Sequence, residues 1–302
     1  MRVTLIHNPT AGAEQPSADA LVGWLGAAGY DVRYASSRKR AYVDALADPG
    51  DLVVAAGGDG TVTKIATRLV GRDVPLAILP LGTSNNIAST LGVSGPAEEI
   101  VRALPTAERR RLDIGVARAS WGESRFVESA GIGLFGAMLR HAESEAGSEN
   151  DNDAGEDRLA LSVRGTRRAL DRQAAHAYRI EADGVDLSGR YVLVAAMNIK
   201  RIGSTLELAP GADPADGLLD LVMLRDEDRP VLESFLERRL DDPDVRFPME
   251  PRRARVVRIG WDTTFGHLDD ERWPEQRIES DIHGGEQIVE ISIADPPIEV
   301  LV

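Results

Sequence analysis

No cysteine occurs anywhere in the 302 residues, which excludes disulfides, zinc–thiolate sites and thiol nucleophiles. Lysine is nearly as scarce: Lys39, Lys64 and Lys200 are the only three, so arginine carries almost all the positive charge. That charge is itself in deficit, with 35 Lys and Arg against 49 Asp and Glu and a formal net charge of −14. General nucleic-acid binding and broad adhesion to anionic lipid both depend on clustered cations, so this balance argues against each. Long apolar runs are missing too. Met1 to Ile6 breaks at His7-Asn8-Pro9, too early for the apolar region of a signal peptide. The longest run elsewhere, Tyr191 to Ile199, is far short of a membrane span. The reading is a soluble, cytoplasmic protein. Its 43% hydrophobic and 28% charged residues are ordinary for a globular chain, and its length favours two domains.

The first hundred residues alternate strand and helix. Val3–Ile6, Asp31–Ala35, Leu52–Ala55 and Leu76–Pro80 read as strands; Ser17–Ala28, Arg40–Ala47 and Val62–Val70 read as helices. Such alternation implies crossover connections and a mainly parallel sheet covered on both faces. Ligands in such sheets bind beyond the carboxyl ends of the strands, where Asn8, Gly57 and Gly82 all fall. After about Leu104 the pattern turns to short alternating segments between Gly, Asp and Pro turns. These are Leu112–Ala117, Arg125–Glu128, Tyr178–Ala182, Tyr191–Met197, Leu218–Leu224, Val256–Ile259 and Gln287–Ile293, with a helix at Pro230–Leu240. The fold class is therefore an α/β N-terminal domain with a mainly parallel sheet, followed by a β-rich, sandwich-like C-terminal domain. The expected division is 1–107 and 108–302, the last residues packing back on the first domain. The acidic run from Glu143 to Asp157 reads as a solvated loop.

Three strand ends carry the informative residues. Leu52-Val53-Val54 runs into Ala55-Ala56-Gly57-Gly58-Asp59-Gly60-Thr61. Glycine gives up side-chain contacts, and the cluster reads as backbone that must approach something closely rather than as packing. A helix follows, so the N–H groups of the turn and helix start are expected to face an anion. The spacing fits neither a P-loop nor the dinucleotide fingerprint of three spaced glycines. His7-Asn8-Pro9-Thr10-Ala11-Gly12 ends the first strand, and Leu79-Pro80-Leu81-Gly82-Thr83-Ser84-Asn85-Asn86 ends another. Taken singly, each also reads as an ordinary strand-to-helix turn. Together they form a polar rim suited to a nucleotide.

These motifs, in this order, resemble the diacylglycerol kinase catalytic domain family. That family includes bacterial lipid kinases and sphingosine kinases and shares its fold with NAD kinases. The resemblance is close over the first hundred residues and scattered beyond them. It implies ATP contacts at Asn8, Pro9, Thr10, Ala11, Gly12, Ser36, Gly57, Gly58, Asp59, Gly60, Thr61, Val62, Thr63, Thr83 and Asn85. It implies magnesium at Asp213, Asp216 and the backbone of Leu218, in a segment similar to the family's Asp-Gly-Leu-Leu-Asp. An Asp-Gly turn entering a strand accounts for Gly217 equally well. It further implies Glu286 as the acceptor of the substrate's hydroxyl proton, and Asp59 as the group that positions the metal or the nucleophile.

The chain departs from the pattern at three places. Gly284 stands where the family's Asp-Gly-Glu has its aspartate; Thr63-Lys64 replaces Asn-Glu; Asn85-Asn86 replaces Asn-Asp. The function implied is an ATP-dependent lipid kinase acting on a diacylglycerol-like or sphingoid lipid at a membrane surface, with ATP and Mg2+ as cofactors. Ala130–Leu139 is expected to wall the lipid site. An NAD kinase or other small-molecule kinase, and a nucleotide- or lipid-binding protein without turnover, remain alternatives. A homodimer stays open as the assembled form.

Overall fold

The computed structural model describes residues 1–11, 15–38, 40–145, 158–203, 206–242, 244–261, 266–274 and 287–302. The chain divides into two compact units. The first comprises residues 1–114, 214–216 and 294–302; the second comprises 115–213 and 217–293.

In the first unit, strand β1 (Arg2–His7) is followed by helix α1 (Ala18–Ala27), β2 (Asp31–Ser36) and α2 (Ala41–Ala47). Then come β3 (Leu52–Gly57), α3 (Asp59–Leu69), β4 (Leu76–Pro80), α4 (Asn86–Leu91), α5 (Ala97–Ala103) and β5 (Arg109–Leu112). The sheet order is β2-β1-β3-β4, then the C-terminal strand Ile298–Leu301, then β5. All neighbours are parallel except the last pair. Both faces of the central strands are buried, which explains their unbroken apolar runs. Val3, Leu5, Val54, Ala56 and Leu79 pack on one side with Leu21 and Leu25 of α1 and Val101 of α5. Ser17 starts α1 by accepting the Ala20 amide at 3.2 Å.

The segment Leu112–Ala117, expected as one strand, is two. Leu112 pairs with Ile298 in the first sheet, while Gly115 pairs with Ile293 in a sheet of the second unit. Between them Asp113 donates its amide to the Pro214 carbonyl, and the Ile114 carbonyl accepts from Ala294. Those two peptides bond outside either ladder, which ends one strand before the next begins. The first unit therefore extends past residue 107 to Ile114.

The second unit is a two-sheet sandwich with antiparallel pairing throughout. The central strand Gly189–Met197 belongs to the seven-stranded sheet and is covered on both sides. Tyr191, Val194 and Ala196 face the core shared with Val257, Ile259, Val289 and Ile291 of the other sheet. Val192, Leu193, Ala195 and Met197 face the opposite way, into a layer with Leu134, Val163, Leu170, Leu232 and Phe235. Strict alternation would separate Val192 from Leu193. A bulge between Tyr191 and Leu193 resets the phase, so both point into the helical layer.

That layer holds two helices that sequence patterning did not give, Leu134–Glu145 and Arg158–Arg172, besides Arg229–Asp241. Ala130–Leu139 spans two elements: the strand Ser129–Gly133 ends at Gly133, at φ +89, and a helix begins at Leu134. Residues 143–145 end that helix rather than opening a loop, and 146–157 lie outside the described residues. Among the described residues no helix is long and apolar enough to cross a membrane.

Candidate active site

Register in the first sheet brings the three strand ends level. His7 sits beside Ser36 on one side and Ala56 on the other, and Gly57 sits beside Pro80. The ladder continues past the strands: Asn8 donates to the Ala56 carbonyl at 2.9 Å and Leu81 to the Gly57 carbonyl at 3.0 Å. The expected positions Asn8, Ser36, Gly57 and Thr83 thus stand at, or just beyond, strand ends along one edge of one sheet.

The glycines have a packing explanation that the sequence alone did not suggest. A Cβ on Gly57 would lie 2.6 Å from Thr61 Oγ1, and one on Gly82 would lie 2.4 Å from Gly58 Cα. The Gly57 position thus accommodates the Thr61 side chain, and the backbones of Gly58 and Gly82 touch. The second and third turns interlock through main chain alone. This corrects the reading of the cluster as glycine kept only for a ligand.

The helix start also differs from expectation. Thr61 and Val62 both donate their amides to the Gly58 carbonyl, at 2.9 and 3.1 Å, so neither faces an anion. Both side chains are buried. The Gly60 amide takes no backbone partner among the described residues. Asp59 opens α3, and its Oδ1 accepts the Ile87 amide at 3.0 Å, at the start of α4. The residue expected to position a metal or nucleophile therefore also holds the next helix.

Asn85 is left-handed, at φ +48, a region its short amide side chain tolerates. Its Oδ1 accepts from the Gly82 amide at 2.9 Å and its Nδ2 donates to the Gly82 carbonyl at 2.9 Å. Both polar ends are committed to the turn, so its contribution to the rim is to shape it. Asn8 does similar work in the first turn, its Oδ1 accepting from the Thr10 amide and hydroxyl at 3.3 and 3.1 Å. Ser36 Oγ accepts the Arg38 amide at 3.4 Å. Pro9, Thr10 and Thr83 are exposed, Ala11, Gly60 and Thr63 are half-buried, and Gly12 lies outside the described residues.

Two residues join this edge that sequence reasoning missed. Gln15 Nε2 donates to the Leu81 carbonyl at 2.5 Å, tying the first turn to the third across β3. His7 is buried beneath them, and desolvation pushes its imidazole below the ordinary value, with a smaller opposing pull from the Gln15 side chain. Only the alternation of β1, which puts position 7 on the same face as Val3 and Leu5, marked His7 as an inward polar group.

Residues 2–117 match the diacylglycerol kinase catalytic domain, and residues 149–280 match the YegS C-terminal NAD kinase beta sandwich-like domain. Along its length the chain is 28% identical over 236 residues to a diacylglycerol kinase of Bacillus subtilis, covering 74% of each protein. It is 28% identical over 198 residues to the lipid kinase YegS of Escherichia coli K12, covering 64% of this chain and 63% of that one. In fold it is similar to the crystal structure of a diacylglycerol kinase from Bacillus anthracis, with a TM-score of 0.68 at 19% identity over 99% of this chain and 96% of that one. It is similar, more distantly, to an NAD kinase from Archaeoglobus fulgidus solved with ATP, with a TM-score of 0.56 at 13% identity over 100% of this chain and 94% of that one.

Asp213 and Asp216 are exposed and Leu218 is half-buried around a turn in which Gly217 takes φ +73. Among the described residues no three His, Asp or Glu side chains are grouped to hold a metal ion. Two exposed carboxylates on a turn fit magnesium only as a hydrated ion that draws its other ligands from water and phosphate. Asp281, Gly284 and Glu286 lie outside the described residues.

Proposed function

We propose that the chain is an ATP-dependent lipid kinase, transferring the γ-phosphoryl group of ATP to a hydroxyl of a diacylglycerol-like or sphingoid lipid. The observation that carries this reading is the main-chain contact between Gly58 and Gly82, which locks two of the three matched turns together at one sheet edge. Phosphoryl transfer asks a protein chiefly for positioning and charge neutralisation, and rigid backbone turns supply the first. The turns at Asn8–Ala11 and Gly57–Gly60 hold the ATP phosphates, and Thr61 and Val62 anchor the second turn through the Gly58 carbonyl. Ser36 and Thr83 border them, and Asn85 fixes the shape of the third turn. Asp59 positions the reacting groups through its hold on α4. Magnesium, when bound, neutralises charge on the transferring phosphoryl group, with Asp213 and Asp216 as its protein ligands. Glu286 accepts the proton of the attacking hydroxyl. The lipid is met at a membrane surface to which the protein attaches peripherally.

The test is labelled ATP with mixed lipid vesicles and, in parallel, with NAD. Labelled phospholipid supports the reading, and a Glu286→Gln variant that keeps full turnover removes the proton-acceptor role. The NAD kinase likeness of the fold favours a second reading, a soluble acceptor. Label on NAD and none on lipid would establish it in place of the first. ATP binding without any labelled product would leave a nucleotide-binding protein.

A further inference from the structure

The helix Arg229–Asp241 of the second unit borders a groove of about 330 Å³, away from the strand ends described above. Pro230, Pro248 and Phe235 give it an apolar lining, Ser234 adds one hydroxyl, and Arg238 and Arg246 bring two guanidinium groups. Among the described residues no acidic side chain lines it. Two other arginines of this layer are ion-paired, Arg229 with Asp226 and Arg167 with Glu237, while Arg239 is not, among the described residues. Arg238 and Arg246 have no ion-pair partner among the described residues, in a chain whose acids outnumber its bases 49 to 35.

We infer that this groove is a binding site for an organic phosphate monoester, with the phosphate between Arg238 and Arg246 and its carbon portion against Pro230, Pro248 and Phe235. Guanidinium forks match phosphate oxygens in pairs, which a lone ammonium cannot do. A phosphate monoester carries between one and two negative charges near neutrality, so two cations balance it where a carboxylate would leave one in excess. The apolar lining gives nothing to inorganic phosphate but rewards an attached chain. A groove of this volume lies at the lower end of the range for small-ligand sites, which suits a phosphate with a few carbons. The phosphate is presented either by a free molecule or by a phosphomonoester lipid headgroup.

The experiment uses the full chain. Hexyl phosphate and inorganic phosphate are titrated separately by calorimetry, and vesicles of phosphatidic acid or of phosphatidylcholine are tested by co-sedimentation. Hexyl phosphate is expected to bind more tightly than inorganic phosphate. Arg238→Gln and Arg246→Gln are each expected to weaken it at least tenfold, and Ser234→Glu, which adds an anion to the groove, to abolish it. These exposed positions leave the fold intact, checked by an unchanged melting temperature. Loss of hexyl phosphate binding in the arginine variants assigns a free ligand. Binding seen only with phosphatidic acid vesicles, and lost in the same variants, assigns a lipid headgroup. Binding that is equal in the wild type and the double arginine variant, or absent in every arm, overturns the site. None of these readouts requires kinase activity, so the inference stands or falls apart from the proposed reaction.

Discussion

Asp59 and Ile87 belong to different helices, yet the Asp59 carboxylate accepts the Ile87 amide at 3.0 Å. Asn85, the residue at the cap position of α4, makes no side-chain cap bond there because its amide is spent on Gly82 and Pro80. A helix start needs acceptors for its first N–H groups, and here one is lent from α3. One carboxylate thus serves both the second and the third turn.

Two substitutions separate the parts Asp59 plays. Asp59→Ala removes the acceptor and is expected to cost about 1 kcal/mol of stability together with activity. Asp59→Asn keeps an oxygen for Ile87 but not the charge. It is expected to melt close to the wild type while losing about 10²-fold or more in turnover. Calorimetric melting and the vesicle kinase assay, run on both variants, check this; Asp59→Asn with full activity would reduce the residue to a cap.

Two glycines, Gly82 and Gly23, predict opposite outcomes. Gly82→Ala places a methyl 2.4 Å from Gly58 Cα, and neither main chain can yield cheaply. Overpacking of this kind costs about 1–3 kcal/mol, and ATP affinity is expected to fall with it. Gly23, inside α1, has open space around it. Gly23→Ala is expected to stabilise the chain by about 0.5–1 kcal/mol and to leave ATP binding unchanged. Denaturant midpoints and ATP titrations read both.

Much of the first unit was legible in the sequence because parallel strands buried on both faces appear as unbroken apolar runs that end in glycine turns, as Leu52–Gly57 does. The partners of those turns were not legible. Asp59 meets Ile87 and Gln15 meets Leu81 across a fold that periodicity cannot foresee. Leu112–Ala117 looked continuous because its apolar pattern is continuous; only the hydrogen bonds of Asp113 and Ile114 cut it. The helices Leu134–Glu145 and Arg158–Arg172 were hidden for different reasons. The first follows Gly131 and Gly133 without a break in apolar character, and the second mixes arginines, a glycine and few large apolar residues.

His267 supplies a pH dependence. It is fully buried, with its Nε2 3.3 Å from Ser129 Oγ and its ring edge-on to Phe135. Burial pushes its pKa down from 6.5 to about 3. The unfolded chain therefore takes up the proton first as pH falls. Stability from neutral His267 is complete above about pH 6.5 and is lost progressively toward pH 3, by at most about 1.4 kcal/mol per unit. His7, also lowered by burial, acts in the same direction. Melting temperatures at about pH 7.5 and about pH 5 should differ less in His267→Phe than in the wild type. An unchanged difference would remove His267 as the source.

Asn85→Gly tests the staple in the third turn. Glycine accepts the left-handed backbone, so the variant isolates the loss of the bonds to Gly82 and Pro80. Weaker ATP binding with a small loss of stability, roughly 1 kcal/mol, is expected. Wild-type ATP affinity in Asn85→Gly would show that the turn keeps its shape without the amide.

The strand Ile298–Leu301 lies between β4 and β5, joining one in parallel and the other antiparallel. During synthesis β4 has emerged long before its neighbour on that side exists. An unfilled edge of this kind is a template for pairing with other chains. The first unit is begun before the second and completed after it, and nearly two hundred residues of other structure must be made while it waits. Deleting residues from Ile298 onward would leave the nascent protein permanently at that stage, with aggregation rather than a smaller, working catalytic unit as the expected product.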